Sequence, residues 1–342
     1  MAVGLLSSFG VFFSGITCKN ISCTDLYFTR SEFFHQKMKF LAFAALFVSS
    51  TVLAAPVPLE KRDDIDVDIL QFALTLEHLE NAFFKQALSN FTLDDFTAAN
   101  FSSDFYTQLK YITHDEETHV LFLENALKTA GVSPVAACSY SFPVTSPKEF
   151  VQLAAILDGV GISAYLGAAP MVTSKQYLTV AGSILATEAL HQAASRNAVG
   201  EIPMANPFST PMGANAVYSL ASQFIVSCPS SNPGLPFKAY PALHFVQGMP
   251  VAQNISVSFS VSGQLPSAQS YITFVSGLDV IPAAATVSDN LVSAEVPYQL
   301  SGQSYAFLTS DNSGNLTDSN ILFGPAILEV TPPSPTFDTS IL

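Results

Sequence analysis

The chain has 342 residues, of which 49% are hydrophobic and only 12% are charged, so it can bury a sizeable core. This length allows one large domain or two of ordinary size. The formal net charge is −14, and lysine and arginine form no cluster in the sequence. Because binding to phosphates requires concentrated positive charge, nucleic acid is not expected as a partner.

The N-terminal residues are expected to be targeting and processing sequence. Residues 38–55, MKFLAFAALFVSSTVLAA, combine a lysine, an apolar run and small residues, which is typical of a secretory signal peptide. Residues 1–37 are then a doubtful leader that precedes the true start. Residues 56–62 end at the dibasic pair Lys61-Arg62 and are predicted to be a propeptide. A long natural leader or a membrane anchor is the alternative, although the apolar run is short for a bilayer span.

Residues 63–245 are predicted to form a helical domain, because apolar residues recur there at helical spacing. Four long helices are expected at about 64–88, 102–130, 146–169 and 173–199, and a fifth, shorter one at 215–226. Ser146 and Pro147 suit a helix start, whereas Gly131 and Gly200 suit helix ends. The pattern indicates an up-down bundle, with loops long enough to leave helix order and handedness open.

After residue 246 the pattern changes to short runs that alternate with period two, separated by Gly, Pro, Asn and Asp. Residues 246–330 are predicted to form a small immunoglobulin-like β-sandwich. Residues 331–342 are predicted to be a disordered tail. The expected fold class is α+β multidomain: a four-helix bundle with a fifth short helix, followed by a small C-terminal β-sandwich.

Cysteine usage and glycosylation sequons both fit a secreted chain. Cys138 and Cys228 follow the predicted processing site, and two cysteines in a secreted protein most simply form one disulfide. Four N-x-S/T sequons begin at Asn90, Asn100, Asn254 and Asn315. The protein is expected to be an extracellular glycoprotein, compatible with a place in a cell wall, and free of the membrane once the signal peptide is removed.

Two Glu-x-x-His pairs are candidate metal-binding motifs. Glu116 and His119 lie in the second long helix, and Glu188 and His191 lie in the fourth. Residues three apart share one face of a helix, so each pair can present a carboxylate and an imidazole to the same metal ion. Helical bundles with two metal ions use this device twice and add one carboxylate from each remaining helix.

The remaining helices offer suitable carboxylates. Glu77 lies in the first helix, with Glu80 as the alternative, and Asp158 is the one acidic residue past the first turn of the third helix. Phe84 and Tyr165 each follow one of these acids by seven residues, so the halves look like copies of one hairpin. The candidate metal ligands are Glu77, Glu116, His119, Asp158, Glu188 and His191.

The alternative to metal binding is that these side chains lie on solvated helix faces or make ordinary capping contacts. This alternative is stronger for Glu116, because Glu117 could point inward instead. Three further histidines are expected on the surface or in ordinary packing: His78, His114 and His244.

Four stretches carry a resemblance to a known family: LQFALTLEHLENAFF, THDEETHVLFLENAL, LDGVGISAYLGAAP and ILATEALHQAASR. Together they resemble the ferritin-like proteins of the desiccation-related and fungal stress-response family, which includes secreted sexual-development proteins. The resemblance covers about residues 64–245. It implies a ferritin-like bundle with a dinuclear carboxylate site for two iron or manganese ions. The family usually has glutamate where Asp158 stands, and the shorter side chain puts one metal position in doubt.

These features favour a metal-dependent oxidoreductase whose two iron or manganese ions react with O₂ or peroxide. No side chain is assigned a catalytic role beyond the metal ligands; Tyr165 is expected to shield the site, to take part in redox chemistry or to pack in the core. The alternative is a non-enzymatic matrix or cell-wall stress protein with a vestigial metal site. An iron-storage shell is disfavoured by the β-domain, and the oligomeric state is left open.

Overall fold

A computed structural model describes residues 65–341, except residues 262, 266–268 and 289–290. The leader, the signal peptide and the propeptide predicted for residues 1–62 lie outside the described residues. Helices occupy the first part of the described chain and antiparallel β-sheets the second part, so the predicted α+β fold class is confirmed. The predicted domain boundaries at residues 245 and 330 stay predictions.

Six α-helices are present among the described residues. They are α1 (Ile65–Asn90), α2 (Leu93–Ala98), α3 (Ser103–Thr129), α4 (Pro147–Ala168), α5 (Lys175–Ala198) and α6 (Ala214–Ala221). Helix α2 was not predicted, because six residues give too little periodicity to detect. Its signal is local: Thr92 and Asp95 form a capping box in which each side chain accepts a hydrogen bond from the other's backbone N–H.

Capping residues fix the ends of the long helices where the sequence indicated. Ser146 accepts a hydrogen bond from the backbone N–H of Glu149, and Pro147 occupies the first turn of α4. Gly131 follows α3 at φ +76°, and Gly200 follows α5 at φ +84°. Both values lie in the left-handed region that glycine adopts without strain, so each helix ends there.

The direction of the helices follows from contacts at their ends. The Asp66 carboxylate, at the start of α1, accepts hydrogen bonds from the backbone N–H of Thr173 (2.7 Å) and of Ser174 (3.0 Å), just before α5. The starts of α1 and α5 therefore lie at the same end of the bundle. Since α4 leads into α5 there, α4 also ends at this end and runs antiparallel to both.

The connection over residues 130–146 crosses the length of the bundle. Near its beginning, the backbone N–H of Val135 donates to the Gln71 side chain at 2.8 Å, close to the start of α1. Farther along, the ring of Phe142 packs against Phe83, near the end of α1, at a centroid distance of 5.0 Å. Helices α3 and α4 are therefore parallel, and the simple up-down order that the helix pattern suggested does not hold between them.

Helix α4 is the most apolar of the long helices because it lies in the core. Together with the 3₁₀ turn that follows it, the segment Pro147–Met171 is long and apolar enough to cross a membrane by length and composition. However, 61% of its most apolar window is buried inside the protein. Phe150, Val151 and Ala154 on its first turns are fully enclosed by the other helices, as expected for a core helix.

A two-stranded sheet and a disulfide fasten the bundle near its crossover. Strands β1 (Ser139–Tyr140) and β2 (Ile225–Ser227) pair antiparallel, and a disulfide joins Cys138 to Cys228 beside them. The predicted fifth helix was too long at its C-terminal end: α6 stops at Ala221, a 3₁₀ turn (Ser222–Phe224) follows, and the next residues enter β2. Cross-strand pairing outweighs helical periodicity there.

Two four-stranded antiparallel sheets pack face to face in the C-terminal part. One sheet has the order β3 (Leu243–Phe245), β4 (Ser256–Val261), β8 (Leu291–Glu295) and β7 (Thr286–Ser288). The other has the order β10 (Ile321–Val330), β9 (Gly302–Thr309), β5 (Tyr271–Ser276) and β6 (Asp279–Ala284). Fully buried side chains such as Phe259 and Phe274 fill the space between them. The immunoglobulin-like topology and the disorder of the tail stay predictions.

The β10–β9–β5–β6 sheet docks on α4 and α5. The Tyr305 hydroxyl is 2.9 Å from Ser163 Oγ and donates to the carbonyl oxygen of Gly159 at 3.2 Å. Arg196, on α5, is only 3% exposed and donates two hydrogen bonds to the Glu329 carboxylate, both 2.7 Å long. A bidentate, buried ion pair of this kind fixes the orientation of the sheet on the bundle.

We expect Glu329→Ala to destabilise the protein by about 3–5 kcal/mol, because it leaves the Arg196 guanidinium buried without its main partner. Glu295→Ala, which removes an exposed carboxylate from β8, is the matched control and is expected to cost at most about 0.5 kcal/mol. Unfolding by urea measures both. Equal stability of the two variants would show that the ion pair does not hold the sheet on the helices.

Candidate metal centre

Seven ionisable side chains meet in the middle of the helical bundle, and each is less than 10% exposed. We call them the acidic cluster: Glu77, Glu80, Glu116, His119, Asp158, Glu188 and His191. They come from four helices, with two from α1, two from α3, one from α4 and two from α5. All six predicted ligands are in the cluster, together with the alternative Glu80.

The two Glu-x-x-His pairs face each other across the bundle. His119 Nδ1 is 3.3 Å from Glu188 Oε1, and His191 Nδ1 is 2.9 Å from Glu116 Oε1. Each imidazole also lies near the glutamate of its own helix, at 3.7 Å in α3 and 3.8 Å in α5. The imidazole rings lie 6.3 Å apart, centroid to centroid, in a stacked orientation. Glu116 and Glu188 therefore lie between the two histidines, where a carboxylate can be shared.

Two sets of donor atoms in the cluster have the spacing of a metal site. Ligand atoms of Glu77, Glu116, His119 and Glu188 all lie within 4.8 Å of one another. The same limit holds for a second set, Glu80, Asp158 and Glu188. Glu80 was expected as the alternative to Glu77, and in the structure both side chains face the cluster. They can do so because residues three apart share a helix face. Which of the two binds metal stays a prediction.

Gly161 makes room for Glu80. A Cβ atom at this position would lie 2.8 Å from Glu80 Oε1, closer than atoms of a side chain and a carboxylate approach. Gly161 follows Asp158 by three residues on α4, so it occupies the position that Glu80 has relative to Glu77. The glycine at position 161 of the motif LDGVGISAY thus indicates that a side chain of another helix, here Glu80, fills the space beside α4.

The donor atoms of the cluster suit a metal ion. Both oxygens of Glu116, Asp158 and Glu188, and Nδ1 of both histidines, are buried without a hydrogen bond to any described residue. The short contacts between Nδ1 and carboxylate oxygens thus lack hydrogen-bond geometry. A buried polar atom without a partner is costly, and a cation satisfies many carboxylate oxygens at once. Oxygen and imidazole donors together are the set that iron and manganese accept.

The electrostatics of the metal-free cluster require bound protons. Burial and like charge raise the pKa of Glu77 to about 8, and burial is also the main cause that raises the pKa of Glu80 and of Asp158 well above the ordinary range. Burial alone would lower the pKa of His119 and His191. The surrounding carboxylates outweigh it and raise those pKa values to about 12 and about 11.

Two outer residues orient members of the cluster. The Tyr165 hydroxyl donates a 2.5 Å hydrogen bond to Glu77 Oε1. Asp115 Oδ2 lies 3.3 Å from His191 Nε2, so it can accept a hydrogen bond from the far side of that ring. This contact keeps Nδ1 directed toward the cluster. Spacing along the sequence did not single out Asp115, because its contact is with a ring on a different helix.

The remaining candidates lie outside the cluster. Glu117 is exposed and its carboxylate is 2.7 Å from Lys85 Nζ, so Glu116 is the inward residue. His78 is buried in ordinary packing, with Nε2 3.1 Å from the carbonyl oxygen of Val135. His114 and His244 are exposed. The structure contains the predicted disulfide between the cysteines, whereas glycosylation of the four sequons stays a prediction.

Comparisons with known proteins agree with this architecture. A family model described as a ferritin-like domain matches residues 65–201. These residues are a ferritin-like domain. Protein rds1 of Schizosaccharomyces pombe is 27% identical over 241 residues, which are 70% of this chain and 55% of that protein. The chain thus spans about half the length of the curated relative that it matches.

A solved structure also shows some likeness to part of the chain. It is a conserved hypothetical protein from Mycobacterium tuberculosis, 18% identical, and the match covers 42% of this chain and 97% of that one. The TM-score is 0.35, which is too low to support an argument. The predicted membership in a ferritin-like group is confirmed by the family model, and the links to desiccation and sexual development stay predictions.

We expect the metal-free ferritin-like domain to lose stability as the pH rises from 5.5 to 8.5. Glu77 has a folded pKa of about 8 against an ordinary value of 4.5, and both histidines have folded values far above 6.5. The folded state therefore binds more protons than the unfolded state over this range, so the free energy of unfolding falls as the pH rises. Urea unfolding after treatment with a chelator measures the free energy of unfolding at each pH. Constant or rising stability would contradict the assignment.

Proposed function

We propose that the acidic cluster binds two iron or manganese ions and that the protein is a secreted, metal-dependent oxidoreductase acting on O₂ or peroxide. One observation supports this most: five carboxylates and two histidines lie buried together with most of their inward atoms unpartnered. Such a set of acids is strongly destabilising unless cations or protons neutralise it. Two divalent ions bring a charge of +4, which nearly balances the five carboxylates.

The two sets of donor atoms support a division of the ligands between two ions, because Glu188 belongs to both sets and would be shared. Glu77 and His119 would hold one ion, and Glu80 and Asp158 would hold the other. We assign His191 to the second ion and share Glu116 between both, because His191 Nδ1 lies 2.9 Å from Glu116 Oε1. Asp158 is one methylene shorter than the glutamate that the family resemblance leads one to expect. Glu80 adds a carboxylate to the same ion and compensates for that shorter reach.

The protein's own residues prepare the site for redox chemistry. When bound, the two ions would supply the electrons that reduction of O₂ or peroxide consumes. Tyr165 fixes one carboxylate oxygen of Glu77 through its hydrogen bond, and Asp115 fixes the ring of His191. The cluster is closed from bulk water by helix packing, which strengthens every electrostatic interaction within it.

Secretion rests on the sequence and on the disulfide. The predicted signal peptide at residues 38–55 would direct the chain out of the cell, and the Cys138–Cys228 disulfide is compatible with an oxidising, extracellular environment. The sequons would then be available for glycosylation, in a cell wall or in the medium.

Counting metal ions tests the proposal, and the chain offers a matched pair of variants. The protein is expressed in its secreted form, stripped of metal, reloaded with Fe²⁺ or Mn²⁺ under anaerobic conditions, and analysed by mass spectrometry. Glu116→Gln removes a carboxylate shared by both ions and is expected to abolish binding of at least one. Glu117→Gln makes the same change one residue away on the exposed face and is expected to retain both ions.

Two results would overturn the proposal. A wild-type protein that binds less than one ion per chain under replete conditions would favour a non-enzymatic matrix or cell-wall role. Equal metal content in the two variants would mean that the bound ions occupy a different place. Oxygen consumption with Fe²⁺, and peroxide decomposition, then test turnover in the loaded protein.

A further inference from the structure

An apolar pocket lies inside the bundle at the end where α1 and α5 begin. It is bounded by residues of α1, α3, α4 and α5 and by the 3₁₀ turn Ala169–Met171. The cavity has a volume of about 60 Å³, room for about four water molecules at ~15 Å³ each. Its size suits the apolar end of an organic molecule that extends through the opening of the pocket.

The pocket is stacked on the acidic cluster along the bundle axis. Three of its lining residues stand four positions along a helix from a member of the cluster: Ala73, Leu123 and Ile184. Four residues of an α-helix rise by about 6 Å, which is one turn. Because three different helices give the same offset toward the same end of the bundle, the pocket floor lies one helical turn from the candidate metal ligands.

Tyr165 belongs to both sites. Its side chain lines the pocket, while its hydroxyl donates a hydrogen bond to Glu77 Oε1. A molecule in the pocket would therefore contact a residue that holds a cluster carboxylate in place. One side chain separates the pocket from the cluster at this point.

The lining of the pocket determines what it can bind. Alanines on α1, α4 and α5 leave the space open, and the surrounding side chains are mainly aliphatic or aromatic. Three lining side chains carry a polar group, those of Asp66, Tyr165 and Tyr177. Two of them are already engaged, since Asp66 accepts a hydrogen bond from the backbone N–H of Thr173 and the Tyr165 hydroxyl donates to Glu77. Phe122 and Met171 line the pocket and are 44% and 41% exposed, which indicates where it opens to solvent. Water is a poor occupant of such a space.

We propose that this pocket binds the apolar part of a small organic molecule and holds it beside the acidic cluster. Binding follows from the shape and chemistry of the pocket and needs no metal. The role of the bound molecule as a substrate rests on the proposed function, because it requires metal ions in the cluster. The substrate class of the centre is then an apolar organic compound, in addition to O₂ or peroxide.

Titration with toluene tests the binding in metal-free protein. Wild-type protein is expected to bind toluene saturably, with a rise in melting temperature. Ala181→Phe fills the pocket from α5 and is expected to weaken binding by about tenfold or more. Ala73→Leu does so from α1, and it serves if the first variant fails to fold. Ala186→Phe adds the same ring on the exposed face of α5 and is expected to bind within about twofold of wild type.

Loading with Mn²⁺ tests the position of the ligand. Paramagnetic Mn²⁺ in the cluster is expected to broaden the NMR signals of bound toluene strongly, because the pocket is one helical turn away. Saturable binding that survives both pocket-filling variants, absence of binding, or binding without broadening in Mn²⁺-loaded protein would each overturn the proposal. Failure of the protein to take up Mn²⁺ would instead refute the proposed metal function, and the toluene titration would still decide the pocket.

Discussion

Five carboxylates repel one another in the dry interior of the helical bundle, and the elements around them must hold them together against this repulsion. Each carboxylate resists removal from water, and each raises the cost of ionising its neighbours. Two histidines relieve part of this cost, since the protonated ring of His119 lies beside Glu188 and that of His191 beside Glu116. The rest of the free-energy cost of burying the carboxylates is removed only when cations bind to them or protons neutralise them. The acidic cluster therefore attracts cations. In their absence, the fold must keep the carboxylates together against their mutual repulsion.

The surrounding fold supplies that resistance. The crossover at residues 130–146 packs along α1 on one side of the bundle. The Cys138–Cys228 disulfide links this crossover to the segment after α6. On the other side, the β-sheet docks on α4 and α5, where Tyr305 contacts Gly159, the residue after Asp158. Arg196 extends this contact from α5 to Glu329. The β-sheet thus braces the two helices that carry three of the seven members of the cluster.

The sequence predicted the features that depend on spacing within one element. Glu116 with His119, and Glu188 with His191, share a helix face whatever the rest of the chain does, and caps such as Ser146 act over three residues. Features that depend on tertiary contacts were missed. The crossover direction and the support from Asp115 both require knowledge of which helices adjoin. Periodicity on a single helix does not contain that information.

The proposed function requires this ferritin-like domain to enclose a site for two metal ions. Crystals grown from protein loaded with Fe²⁺ or Mn²⁺ would reveal these ions in diffraction measured above and below the absorption edge of the metal. We expect two anomalous peaks between the helices, one near His119 and one near His191, with Glu80 close to the second. Absence of both peaks, or peaks confined to surface carboxylates such as Glu117, would contradict the proposed function.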